Sequence, residues 1–183
     1  MEFCLHYFGP LKSNAGPIEK HQIRCQLHHQ LKSICSSYPF LSSFEPDFNE
    51  TRKQTEKPLF KEIDEKKYWF LICECLSTSV DLNLTLLVPH QTHAIVSGGD
   101  VDNRIKTLFD GLRIPQIENE IPNNDSFDYS EGMFCLLEDD KLINNIQIQM
   151  FQDHAPIDDK SCRVLIKVNT RINGAKWGNL NFI

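Results

Sequence analysis

Apolar residues near the start of the chain recur first with the two-residue period of a strand and then with helical spacing. The alternating set predicts a strand over residues 2–8 and consists of Phe3, Leu5 and Tyr7. From residue 18 to about 36 one helical stripe follows, made of Ile23, Leu27, Leu31 and Ile34. Residues 37–57 are mostly polar, and we interpret them as a connection.

The rest of the chain predicts strands on both sides of a second helix. Strands are expected near 68–77 and 81–88, the latter because leucines at 82, 84 and 86 alternate with polar residues. A helix is expected from Asp102 to about Arg113, with apolar positions at i, i+3, i+4 and i+7, namely Ile105, Leu108, Phe109 and Leu112. Pro115 ends it.

Three late strands complete the pattern, at 133–137, 143–150 and 162–168, after an acidic stretch at 116–132 that we interpret as an exposed insertion. Because strands and helices interleave, the sequence predicts an α+β fold in which helices pack against a mixed β-sheet. The length of 183 residues fits one domain spanning 1–183.

The composition is that of an ordinary globular protein, with 40% hydrophobic and 24% charged residues. No apolar run approaches the roughly 18 residues that a membrane span needs, and no signal peptide is recognised at the start. The seven cysteines are scattered without a C-x-x-C pair. We therefore expect reduced thiols, a cytoplasmic location and no membrane association.

A net charge of −6 argues against a protein held on nucleic acid by bulk charge alone. It remains compatible with a nuclease whose acidic centre is neutralised by a metal ion and whose basic residues are gathered locally.

The chemistry-bearing stretch is Gly98-Gly99-Asp100-Val101-Asp102-Asn103 at the start of the second helix. In an extended segment, Asp100 and Asp102 point to the same side, and the glycines allow a ligand to approach the backbone. Lys106, one turn further, lies within reach of a phosphate beside a metal ion. Carboxylate oxygens suit Mg²⁺, which activates water and neutralises a phosphodiester. The alternative is structural, with Asp102 or Asn103 capping the helix.

A third carboxylate is expected from Glu138-Asp139-Asp140, at a predicted strand end. The alternative interpretation of this segment is a solvated acidic turn.

Together these segments resemble the RusA-type Holliday junction resolvases. The matching elements are Gly99-Asp100-Val101-Asp102-Asn103, Lys106, Asp110-Gly111-Leu112 and Asp139-Asp140-Lys141-Leu142-Ile143. The resemblance covers roughly residues 80–150. The chain differs from the family in a longer gap between Leu112 and Asp139, a larger N-terminal region and an acidic net charge.

The resemblance implies a RusA-like fold and a Mg²⁺-dependent endonuclease, with Mn²⁺ as a substitute ion, that cuts branched DNA such as four-way junctions. It implies that Asp100, Asp102 and Asp140 bind the metal and that Lys106 assists catalysis, with Asn103, Asp110 and Asp139 as supporting residues. It also implies a homodimer, because two symmetric cuts need two active sites. The alternative is a non-catalytic nucleic-acid- or protein-binding module that retains the fold.

Other residues offer weaker signals. A basic flank on the first helix predicts a phosphate-binding track, or else an ordinary solvated face, and consists of Lys20, His21, Arg24, His28 and Lys32. His90 and His93 allow a transition-metal site or a simple loop, and Cys73 and Cys75 are typical of core positions. Neither a P-loop nor a Rossmann glycine motif is present.

Overall fold

The computed structural model describes residues 1–37, 59–89, 100–123, 125–158 and 160–174. The predicted connection at 37–57 lies almost wholly outside these residues, as do His90, His93 and both glycines of the Gly98-Gly99 pair. The side chain of Asp100 is also outside the description, although its backbone is described.

Two helices and seven strands make up the described fold, and they confirm the predicted α+β class. In chain order the elements are β1 (Glu2–Pro10), α1 (Pro17–Ser37), β2 (Phe60–Ile63), β3 (Lys66–Ile72), β4 (Thr78–Val88), α2 (Asp100–Leu112), β5 (Met133–Leu137), β6 (Ile143–Gln152) and β7 (Ser161–Ile172). Short 3-10 helices cover Glu118–Glu120 and Asp140–Leu142. No helix in the described part of the chain is long and apolar enough to cross a membrane.

The strands form two mixed sheets rather than the one that the sequence predicted. The larger has the order β1-β7-β4-β6, in which β4 and β6 are parallel and the other pairs are antiparallel. The smaller has the order β2-β3-β5, with β3 and β5 parallel. A parallel pair requires a crossover, and α2 lies in the crossover between β4 and β6.

The alternation along β1, β4 and β7 directs one face of the larger sheet into the core. The inward side chains are buried, and they include Leu5, Tyr7, Leu82, Leu84, Leu86, Val164, Ile166 and Val168. Helix α1 packs against this core through the predicted stripe, of which Ile23, Leu27 and Leu31 are buried.

Helices α1 and α2 approach each other closely at Gly111. A Cβ atom added there would lie 2.6 Å from Cγ2 and 2.7 Å from Cβ of Ile23. Only glycine, which has no Cβ atom, therefore fits at this position. The contact packs α2 closely against α1.

The acidic insertion at 116–132 is more tightly packed than the sequence predicted. Ile121 is buried, and the side chain of Asp125 is only 3% exposed. Phe127 makes edge contacts with the rings of His21 and His28. The insertion thus covers part of α1 through these residues, whereas residues 116–119 are exposed as predicted.

Candidate active site

The acidic start of α2 differs in backbone conformation from the prediction. The helix begins at Asp100, so Asp100 and Asp102 both belong to its first turn. The expectation of an extended backbone through Asp100 and Asp102 is therefore wrong.

Two of the predicted residues do share one side of α2. Asp102 and Lys106 are both exposed, and they are four residues apart, which makes them neighbours on a helix surface. Asn103 is half-buried beside them. An exposed carboxylate and an exposed ammonium group therefore stand together on the first two turns, open to a ligand.

Asp110 and Arg113 are buried rather than exposed on the polar side of α2. Asp110 accepts from Arg113 Nη2 at 2.8 Å and pairs with Lys20 Nζ at 2.7 Å. Arg113 in turn donates to both carboxylate oxygens of Glu120, at 2.8 and 3.0 Å. Because each carboxylate oxygen of Asp110 has a cationic partner, this residue stabilises the packing of α2 and is not directed at solvent.

Burial alone would raise the pKa of Asp110 and of Glu120, but hydrogen bonds and nearby cations outweigh it. For Asp110 these are Lys20 and Arg113, and for Glu120 they are chiefly Arg113 and the Gln116 amide. Both pKa values are lowered overall, so both groups are carboxylates at neutral pH.

The acidic turn, residues 138–142, contacts α2 and leads directly into β6. Asp139 caps its 3-10 helix by accepting from the Lys141 amide at 3.0 Å. The side chains of Asp139 and Asp140 also share a hydrogen bond. Two adjacent carboxyl groups that share a hydrogen bond share a proton between them.

The two carboxyl groups of this turn have opposite pKa shifts. Burial, the hydrogen bond to Asp139 and the charges of Asp139 and Asp110 raise the pKa of Asp140, although Arg113 opposes the rise. Burial also acts to raise the pKa of Asp139, but hydrogen bonds from the Lys141 amide and from Asp140, with the charges of Lys141 and Arg113, lower it overall. Asp140 therefore keeps a proton more readily than an ordinary aspartate, and Asp139 carries the negative charge of the pair more readily.

The structure brings Asp140 together with Asp139, Asp110 and Arg113. Asp102 lies two helical turns before Asp110, about 12 Å along the helix axis. Among the described side chains, no group of three or more His, Cys, Asp or Glu is placed to hold a metal ion. The donors themselves fit a hard cation such as Mg²⁺, because all of them are carboxylate oxygens.

The predicted phosphate track on α1 is wrong for three of its five residues, because His21, Arg24 and His28 are buried. Arg24 is 1% exposed and donates to the carbonyl oxygens of Arg113 at 2.9 Å and Asp110 at 2.7 Å. His28 is buried, and its Nδ1 accepts from the Phe134 amide at 2.9 Å. Burial, followed by the charges of His29 and Lys32, lowers the pKa of His28 to about 4. It is therefore neutral at pH 7 and offers no charge to a phosphate.

The two remaining cations of the track are partly exposed, and each already has an acidic partner. Lys20 pairs with Asp110, and Lys32 pairs with Glu131. His21, on the same flank, is buried, and its Nε2 lies 2.9 Å from Asp125 Oδ1. This flank of α1 therefore packs against α2 and the insertion. The spacing of basic residues along α1 does not predict this packing.

Sequence reasoning missed the roles of Glu120 and Asp125, which were treated as part of an exposed insertion. The only sequence signal for them was the presence of apolar Ile121, Phe127 and Tyr129 among the acidic residues. The sulfur atoms of Cys73 and Cys75 lie 2.8 Å apart just after β3 without a disulfide bond, and Cys73 is buried as expected whereas Cys75 is half-buried.

Comparison of the chain with models of protein families, with curated proteins and with solved structures gave no match.

Proposed function

We propose that this protein is a Mg²⁺-dependent endonuclease of the RusA type that acts on branched DNA, as a homodimer. The observation that supports it best is the contact between α2, which carries Asp102 and Lys106, and the acidic turn, which carries Asp140. The residues of the family motif thus lie on two contacting elements, although they come from separate parts of the chain.

In this proposal Asp100, Asp102 and Asp140 would hold the ion, as the resemblance implies, although the described side chains do not form a closed metal site. The bound ion would supply an activated water and neutralise charge on the scissile phosphate. Lys106 contacts a phosphate oxygen with its ammonium group, because its exposed position leaves Nζ accessible. Asp139 positions Asp140 through their shared hydrogen bond.

The buried network keeps this arrangement rigid. Asp110 forms ion pairs with Lys20 of α1 and with Arg113. Arg113 also forms an ion pair with Glu120 of the insertion. A site on elements fixed in this way holds its geometry without help from the substrate. The network therefore supports catalysis indirectly and contacts neither DNA nor metal.

A panel of DNA substrates tests the proposal. The chain is incubated with labelled four-way junction, flap, single strand and linear duplex of the same sequence, each with Mg²⁺ and with EDTA. We expect Mg²⁺-dependent cleavage that favours the branched substrates. Binding of junction without cleavage under any divalent ion would instead support the non-catalytic binding module.

A further inference from the structure

Strand β6 forms one edge of the larger sheet in the described part of the chain. It runs for ten residues, Ile143–Gln152, and every side chain from 144 to 149 is exposed. Its only described strand partner is β4, on one side. Half of the peptide groups of such a strand point away from the sheet, ready to pair with another strand.

The other sheet edges are protected, which makes β6 distinctive. Along β1, two side-chain amides from α1 act as a substitute strand: Gln30 bonds the backbone N–H and C=O of His6, and Gln26 bonds those of Phe8. On β5 the Phe134 amide donates to His28, and the Leu137 carbonyl accepts from Ile114. The remaining edge strand, β2, is four residues long and charged at Lys61 and Glu62.

The sequence of β6, Ile-Asn-Asn-Ile-Gln-Ile-Gln-Met-Phe-Gln, contains no charge, proline or glycine. Natural edge strands generally carry such residues to prevent pairing with other chains. Ile146 and Ile148 are 42% and 39% exposed although they lie on the core face, opposite Leu82 and Leu84 of β4. An uncharged edge with two exposed isoleucines lacks the features that keep other strands from pairing with it.

We propose that β6 pairs antiparallel with β6 of a second copy of this chain, so that the two four-stranded sheets join into one. The strand is self-complementary in a register centred on Gln147. Ile146 then lies opposite Ile148 of the other copy, and Ile148 lies opposite Ile146. Cross-strand apolar pairs of this kind stabilise a sheet.

Charge favours a second copy in this orientation. The strand itself is neutral, so the net charge of −6 is not concentrated at the contact. The acidic turn lies at the start of each strand, and antiparallel pairing places the two turns at opposite ends. In the same register, the two Ile143 residues lie eight residues apart along the strands, about 26 Å.

The inference rests on the homodimer in the proposed function and specifies its surface. It places two acidic turns on one continuous sheet, related by a two-fold axis normal to that sheet. Two sites held at a fixed separation are what paired cuts in one branched substrate require.

Light scattering on the full chain tests this surface without DNA or metal. The wild-type protein should have twice the chain mass of 21.2 kDa. Ile148→Lys should shift the protein to monomer and raise the dimer dissociation constant at least tenfold. The matched control is Leu165→Lys, since Leu165 is 47% exposed on β7 and not on the edge, and it should remain dimeric. Circular dichroism establishes that both variants are folded.

A cross-link provides a second measurement that does not depend on destabilising the contact. In a Cys4→Ser background, Gln147→Cys should form a disulfide with its own copy on mild oxidation, because the two positions face each other across the axis. Gln149→Cys, which faces Asn145, should form far less.

A wild-type monomer at 100 µM would overturn the inference, as would an Ile148→Lys variant that stays dimeric. A monomer would also be the result if a segment of the same chain covered β6. These outcomes are distinguishable from failure of the nuclease activity, because a dimer without cleavage retains the surface, whereas cleavage by a monomer retains the activity and overturns the homodimer.

Discussion

Arg24 carries its charge inside the protein, where its Nε and Nη2 donate to main-chain oxygens of α2 and the residue that follows it. Its Nη1 has no partner within the described residues. Burial lowers the pKa of Arg24, yet its ordinary value is high enough that it stays charged. Arg24 joins α1 to α2 by these two hydrogen bonds, and a shorter side chain at this position would not reach the two carbonyl oxygens.

We therefore predict that Arg24→Ala destabilises the protein by about 3–5 kcal/mol, because it removes a buried ionic partner and leaves two carbonyl groups unpaired. Urea unfolding measures the change. The control is Lys32→Ala, a half-exposed cation on the same helix, which should cost less than about 1 kcal/mol. Equally small losses of stability in both variants would show that the Arg24 side chain is not buried between the helices.

Lys106 has the opposite character, because it is exposed next to Asp102. If it contacts the scissile phosphate in the transition state, Lys106→Ala should lower the cleavage rate roughly 100-fold and leave DNA affinity little changed. Lys160→Ala, at another exposed lysine, serves as the control in single-turnover assays. A matching loss of affinity would make Lys106 a positioning contact instead.

His28 couples the α1 interface to pH. Its pKa in the fold is about 4, below its ordinary value of 6.5, so the unfolded chain binds a proton more readily between these values. Stability contributed by neutral His28 is complete above pH 6.5 and is lost as the pH falls towards 4.

We predict that His28→Asn reduces this acid sensitivity by an amount on the order of 2 kcal/mol, since an amide oxygen can accept from Phe134 without titrating. Free energies of unfolding at pH 7 and pH 4.5 supply the measurement. Gln22→Asn, at an exposed position of α1 that does not titrate, is the control and should leave the pH dependence as it is in the wild type. Parallel pH curves for wild type and His28→Asn would contradict the assignment.

At the scale of elements, the contact between α1 and α2 depends on Gly111. Glycine inside a helix normally costs about 1 kcal/mol relative to alanine, so replacement would ordinarily stabilise. Here the added Cβ would meet the buried side chain of Ile23 at 2.6 Å. We predict that Gly111→Ala destabilises the protein by about 1–3 kcal/mol.

Thermal or urea unfolding measures the sign of this change. Ser33→Ala, at an exposed position of α1, should be neutral or slightly stabilising. An increase in stability in Gly111→Ala would show that the helices are less closely packed than described.

The periodicity of the sequence was sufficient to place α1, α2, β1, β4, β5, β6 and β7 to within a few residues. It missed β2, because four residues with two central charges carry no strand pattern. It also missed the burial of Arg24, Asp110 and Arg113. Periodicity identifies a polar side of one helix, but whether a second helix or an insertion covers that side depends on packing between distant segments.

At the scale of the whole molecule, the described residues share one hydrophobic core to which both sheets and both helices contribute. The acidic turn and the start of α2, which the sequence identified as the chemical centre, lie on two elements that touch. Motif spacing predicted these residues, but it did not predict the helical backbone at Asp100. That difference arose because aspartate suits both an extended cap position and the first turn of a helix.

We propose that the carboxylate of Asp102 takes part in metal-dependent cleavage of branched DNA, and single-turnover cleavage of a four-way junction by Asp102→Asn is the measurement that tests this role. The substitution keeps the size of the side chain and removes an anionic ligand. Asp128→Asn, at an exposed carboxylate of the insertion, is the matched control. We expect Mg²⁺-dependent cleavage by wild type and by Asp128→Asn, and its loss in Asp102→Asn with folding and junction binding retained. Wild-type cleavage by Asp102→Asn, or no cleavage by any of the three proteins, would contradict it.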